Sequence, residues 1–230
     1  MRFEEFVRCL DEATGEDVPS HAVTLLSRAE DWASMVRARI DALDDDELCA
    51  QVLRAHIAHV EPRIFMIYEK TGRYQIIVHH FDRPAFDEHW QAGRLGPHYH
   101  HFSFTTRLLR GAYYNWIYDN EGDLNLPQLR LSGQVRCEQG DVYTLPFDRF
   151  HCVLLPDHDT VSLMVRGRPV LDPGHPPDPN YGKSEILELR NRLLQLLQHT
   201  PQVQPGRIRS LPSAPGERSA NVEAPHQIQI

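Results

Sequence analysis

The residues best equipped for chemistry stand in Gly96-Pro97-His98-Tyr99-His100-His101, with a further histidine, His151, much later in Phe147-Asp148-Arg149-Phe150-His151. Side chains two apart on an extended strand project to the same side. His98 and His100 therefore pair, and His151 from a later strand can complete a three-imidazole face. Neutral imidazoles converging on one point make a site for a divalent transition metal. Alternation puts His98, His100, Phe102, Phe104, Thr106 and Leu108 on one side, and Tyr99, His101, Ser103, Thr105 and Arg107 on the other. The first set is the apolar one. It is expected to face the interior, with Phe102 and Phe104 beside the metal and His101 turned outward.

A lone histidine in a strand or helix is usually a hydrogen-bonded structural residue. That is the reading for His56, His59, His79, His89, His158, His175 and His199. His80, on a strand expected to be an inner one, is a candidate for lining the cavity. Tyr143 is a candidate donor close to the metal. The aromatic run Tyr113 to Tyr118 reads as half-buried strand rather than a stacking platform, and Cys152, next to a ligand, should face away from it.

The elements that must position these residues follow from periodicity. Residues 1–62 form an N-terminal helical region. Pro19-Ser20 opens a helix carrying Val23, Leu26, Ala29, Ala33, Val36 and Ile40 at helical spacing, and Asp44 with Glu47 makes a capping box for the next. Residues 63–170 form the β core, with strands expected at Ile64 to Tyr68, Tyr74 to Phe81, Phe102 to Arg110, Ala112 to Tyr118, Leu129 to Val135, Asp141 to Leu145, His151 to Leu155 and Thr160 to Arg166. Short strands at this spacing suggest a closed or double-sheet β architecture. Residues 171–199 are a proline-rich connector and a helix with Ser184 as its N-cap and Ile186, Leu189, Leu193, Leu196 and Leu197 on one face. Residues 200–230 are poor in apolar side chains and read as a disordered tail.

The bulk numbers bound the function. A 230-residue chain with 41% hydrophobic and 24% charged residues is ordinary for a globular domain, and its net charge of -8 opposes phosphate-backbone binding, so no nucleic-acid partner is expected. No apolar run approaches a membrane span, the acidic N-terminus is no secretory signal, and Cys9, Cys49, Cys137 and Cys152 lack CxxC spacing. A cytoplasmic protein with reduced thiols and no membrane partner is expected.

The two histidine clusters resemble the two motifs of the cupin family. In the first, Gly93, His98, His100 and Gly111 match the motif's residues, with the Gly93–His98 spacing one residue short and Phe104 where the family carries a glutamate ligand. In the second, Gly140, Pro146 and His151 keep the spacing, with Asp148 in place of a glycine and Leu155 in place of an asparagine. The resemblance covers roughly residues 64 to 167 and implies an all-β core, a double-stranded β-helix or cupin barrel, with N-terminal helices and a C-terminal helix.

Loss of the glutamate leaves three histidines and no carboxylate, which within the cupins resembles the thiol dioxygenases such as cysteine dioxygenase. That implies a mononuclear non-haem Fe(II) oxygenase or dioxygenase acting on a small anionic substrate with O2. Imidazole equally accepts Ni, Cu, Mn and Zn. On the strand after the third ligand only Ser162 matches that family's serine-x-histidine-x-tyrosine pattern, so cysteine is not expected as the substrate. Arg166 would bind a substrate carboxylate if it faces the cavity, and alternation with Val161, Leu163 and Val165 leaves its facing open. The competing readings are a non-redox metal-dependent isomerase or lyase, and a non-catalytic small-molecule-binding module. The leucine-rich helix suggests a homodimer.

Overall fold

The computed structural model describes residues 1–13, 18–54, 62–170, 182–200 and 205–212. Among the described residues its core is nine strands: β1 (Arg63–Lys70), β2 (Tyr74–Phe81), β3 (Phe104–Arg110), β4 (Ala112–Asn120), β5 (Leu129–Glu138), β6 (Asp141–Leu145), β7 (Phe150–Leu154), β8 (Thr160–Gly167) and β9 (Arg207–Ile208). They form a six-stranded sheet in the order β1-β2-β8-β3-β6-β9 and a three-stranded sheet in the order β5-β4-β7. All pairings are antiparallel except β6 with β9. The strands are rich in β-branched and aromatic residues that suit a pleated surface. Gly111 turns β3 into β4 at φ +74°, and a Cβ there would lie 2.5 Å from Thr160 Oγ1, so no other residue fits without a shift. The fold class is the expected one, an all-β core of two sheets, antiparallel but for the β6–β9 pair, with helices before and after it.

The large sheet is covered on both faces. On the outside lie α1 (Phe3–Asp11), α2 (Val18–Leu26), α3 (Trp32–Ala42), α4 (Asp45–Arg54) and α6 (Lys183–Gln198). Ile76, Val78, Val161, Leu163 and Val165 point into that helical layer and share its core with Phe6, Leu25, Trp32, Ile40 and Leu193. Met66, Ile77, Phe81, Phe104, Leu108, Met164 and Tyr143 point the other way and meet Tyr113, Ile117 and Cys137 between the sheets. Each such aliphatic or aromatic side chain contributes roughly 1.5–3 kcal/mol on burial. Arg107, placed by alternation on the outward face of β3, is buried beneath the helices. Its guanidinium donates to the Leu26 carbonyl at the end of α2 and lies 6.0 Å over the Trp32 ring. A helix C-terminus favours a cation there.

Several elements differ from the sequence reading. The helix expected to run from Pro19 past Ile40 breaks between Leu26 and Trp32. Asp31 restarts it as N-cap, its carboxylate accepting from the Ser34 amide at 3.0 Å and hydroxyl at 2.7 Å. The capping role of Asp44 holds, its carboxylate accepting from the amides of Asp46 and Glu47 at 3.0 and 2.8 Å. The N-cap of α6 is Gly182 rather than Ser184, and Glu185 reaches back to accept the Gly182 amide at 2.8 Å. The apolar stripe of α6 is buried within the chain against the helical layer, so it offers no dimer face. An unexpected helix, α5 (Arg83–Gln91), follows β2 and buries Phe86. The segment read as disordered tail contributes β9, because Arg207 and Arg209 both pair at 2.8 Å with the buried carboxylate of Asp141. The expectations for His56, His59, His175, for the connector at 171–181 and for 213–230 lie outside the described residues. All four cysteines are free thiols. Among the described residues no helix is long and apolar enough to cross a membrane.

Candidate metal centre

His98 and His100 do not sit on a strand. They lie in the extended segment that leads into β3, held in place by backbone pairing with β7. The His98 amide donates to the His151 carbonyl at 2.9 Å and the His151 amide donates back at 2.8 Å. This antiparallel pair sets both side chains on one face. His100, two residues on, brings its Nε2 to 2.9 Å from Nε2 of His151. Two imidazole nitrogens that close need one electrophile between them, a proton or a metal ion. Among the described residues these three histidines are the one group of three or more His, Cys, Asp or Glu donors close enough to share a metal, all within 4.8 Å of one another.

Fixed acceptors set the tautomers. His98 Nδ1 is 3.0 Å from the Gly96 carbonyl, and His151 Nδ1 is 3.0 Å from Oδ1 of Asn115, which is wholly buried on β4. A carbonyl oxygen only accepts, so in that pairing each Nδ1 carries the proton and each Nε2 presents its lone pair to the shared point. Burial, reinforced by the neighbouring imidazoles, pushes His100 and His151 well below the ordinary histidine range, and His98, an exposed residue whose ring is packed against those two, is lowered by desolvation as well. The triad is therefore neutral at physiological pH, the form that ligates a metal. Phe104 stands where a carboxylate would complete the set, its ring 5.0 Å from that of His100 and 5.9 Å from that of His151. Three neutral nitrogen donors with no fourth protein ligand fit a divalent transition metal that keeps open positions.

The triad opens on a cavity of about 100 Å³ between the sheets. Ile64, Phe81, Phe86, Leu95, Phe104 and Met164 make its apolar wall, and Thr106, Tyr113 and Tyr143 its polar one. Among the described lining residues there is no Lys, Arg, Asp or Glu. The Tyr113 and Tyr143 hydroxyls are 2.7 Å apart, and burial raises both pKa values, so both stay protonated.

The other residues singled out from sequence divide. Phe104 and Tyr143 line the cavity. Phe102 is half-buried outside the lining, its ring 5.1 Å from that of His100 and 4.7 Å beneath the guanidinium carbon of Arg166. Arg166 shares the inner side of β8 with Met164, yet its Nε donates to Gln75 Oε1 and it too stands outside the lining. His80 is a correction. It faces the helical side, 3.0 Å from Asp159 Oδ1, and His79 takes the cavity position instead. Burial pushes His79 down to about 3. Cys152 adds to the wall without joining the triad. Sequence reading missed Asn115, a single amide inside an aromatic run, whose signal was its place two residues from Tyr113 and Ile117 on an inward face.

No family model matches the chain, and no curated protein matches it. Among solved structures, KdgF from Halomonas sp. is similar at 18% identity and a TM-score of 0.32, covering 48% of this chain and 85% of that one. Hydroquinone 1,2-dioxygenase PnpCD, solved with Cd2+ and 4-hydroxybenzonitrile, gives 12% and 0.34 over 47% of this chain and 63% of its own. A cupin domain from Bordetella pertussis gives 9% and 0.31 over 49% and 98%.

Proposed function

We propose that the chain is a mononuclear metal-dependent oxygenase acting on a small molecule together with O2, with His98, His100 and His151 holding the metal. The observation that carries this reading is the convergence of three neutral imidazoles, two with Nδ1 held by fixed acceptors, on a cavity with no carboxylate among its described lining residues. A ferrous ion bound there would supply the redox chemistry with O2 and a site for an anionic donor atom of the substrate. The chain supplies the rest. Gly96 and Asn115 hold the ligand rings, Phe104 keeps a competing carboxylate out, and the apolar wall excludes water and strengthens the remaining electrostatic contacts. With Arg166 turned toward Phe102 and Gln75, the substrate's negative charge belongs on the atom nearest the triad. The isomerase or lyase reading needs a general base with a pKa near the working pH. Among the described lining residues there is no carboxylate, and His79, held near 3, is too weakly basic for that task.

The test is metal stoichiometry followed by O2 uptake, with anaerobically iron-loaded protein offered small thiols, enolisable ketones and phenols. Close to one metal per chain and uptake that His98→Ala abolishes are expected. Uptake no greater than that variant's refutes the oxygenase reading, and failure to load any divalent metal points to a non-catalytic binding module.

A further inference from the structure

We propose that the buried end of the cavity recognises a neutral hydrogen-bond acceptor, so the substrate is a compact molecule whose one anionic atom sits at the triad and whose other end is a carbonyl or comparable oxygen. The proposal rests on the metal reading above and assigns the substrate class. Tyr143, whose ring is 6.3 Å from that of Phe104, joins Tyr113 and Thr106 as the described lining residues that carry hydroxyls. Tyr113 and Tyr143 are each 2% exposed. Their mutual bond uses one of their two protons. Thr106, 1% exposed on the same wall, makes no hydrogen bond of regular length, although its hydroxyl lies near enough to Tyr143 to act on it, so of the three hydroxyl protons at least one remains to be donated. A buried donor left unpaired costs free energy, and a ligand oxygen would satisfy it.

Charge and size narrow the class further. No cation lies among the described lining residues, so a carboxylate pushed to the tyrosine end would exchange its water for a few hydroxyl donors with no opposite charge to offset its burial. The volume of about 100 Å³ compares with roughly 150 Å³ for an apolar cavity that takes benzene, which leaves room for about four to six non-hydrogen atoms. This runs against the expectation of a substrate carboxylate bound by Arg166.

The experiment uses the full chain loaded with cobalt(II) and reads the thiolate-to-cobalt absorption band. Three thiols of equal heavy-atom count are titrated: 4-mercaptobutan-2-one, 3-methylbutane-1-thiol and 3-mercaptopropionate. The ketone should bind roughly five- to tenfold more tightly than the alkane, as one neutral hydrogen bond allows. It should exceed the carboxylate by about tenfold or more. Thr106→Val and the double variant Tyr113→Phe/Tyr143→Phe should each cut the ketone's advantage about threefold or more while leaving the alkane unchanged. Both keep side-chain shape, and an unaltered cobalt spectrum verifies the site. A ketone advantage absent in the wild type, or surviving in both variants, overturns the proposal, as does tightest binding of the carboxylate. A wild-type chain that yields no cobalt bands refutes the metal reading and this proposal with it, so the two failures look different.

Discussion

Replacing Asn115 with leucine tests the centre without touching a ligand. In the folded chain the amide oxygen takes the Nδ1 proton of His151 at 3.0 Å, and Asn115 is 0% and His151 4% exposed. Leucine removes the acceptor and seals the space, leaving a buried N–H whose desolvation costs about 1–3 kcal/mol. The ring escapes that cost by carrying its proton on Nε2, the atom that faces His100, and in that tautomer it cannot ligate. Ligation then requires paying the cost back, which at about 1.4 kcal/mol per decade lowers affinity roughly 5- to 100-fold. Zinc titration against a chromophoric chelator reads the change, with near-ultraviolet circular dichroism to verify the fold. Asn115→Asp keeps an acceptor and adds negative charge, so it should bind zinc at least as tightly as the wild type. A folded Asn115→Leu protein with zinc affinity within twofold of the wild type would refute the tautomer argument.

Acid should destabilise the chain. His79 is held at about 3, and His100 and His151 are also depressed, against 6.5 in the unfolded chain. Below pH 6.5 the unfolded state binds more protons, so stability is lost as pH falls toward the folded values, by about 1.4 kcal/mol per pH unit for each such histidine. Urea midpoints that stay level or rise from pH 7 to 5 would count against this. Leu155 has φ +47° and is 54% exposed. Leu155→Asn should relieve about 1 kcal/mol of left-handed backbone strain and raise Tm by roughly 2–4 °C, whereas an unchanged or lower Tm means the site is unstrained. Asp141 is 1% exposed and accepts from Arg207, Arg209 and the Glu138 amide. Asp141→Ala should cost about 2 kcal/mol, less than a fully buried pair because the arginines are partly solvated, and should first release hydrogen-exchange protection at the Arg207 and Arg209 amides. Protection retained there would show that β9 does not depend on this carboxylate.

The strands were legible because their β-branched and aromatic runs are short and punctuated by Gly, Pro and Asp. The triad was legible from its spacing, although His98 and His100 obtain their common face from the pairing with His151 rather than from a strand. Alternation failed where both faces of a strand are covered. On β2 the run Ile76 to Phe81 is buried throughout, so nothing in residue type distinguished His79 from His80, and the assignment came out reversed. On β3 the same double burial hid Arg107, a cation that looked like a surface marker. Helix α5 did carry a signal in Asp82-Arg83-Pro84, a cap followed by proline in the first turn. The order of β9 carried none, because it depends on Asp141, far away in sequence.

The reciprocal backbone bonds between His98 and His151 join the two ligand-bearing segments across the seam between the small sheet and the large one. Whatever the three imidazoles grip is also a fastener for that seam. The amides of His98 and His151 thereby become a gauge, since their exchange with solvent should slow when the fastener is closed. By the same reciprocity, a strain that prises β7 away from the approach to β3 would weaken the hold on any ion bound there.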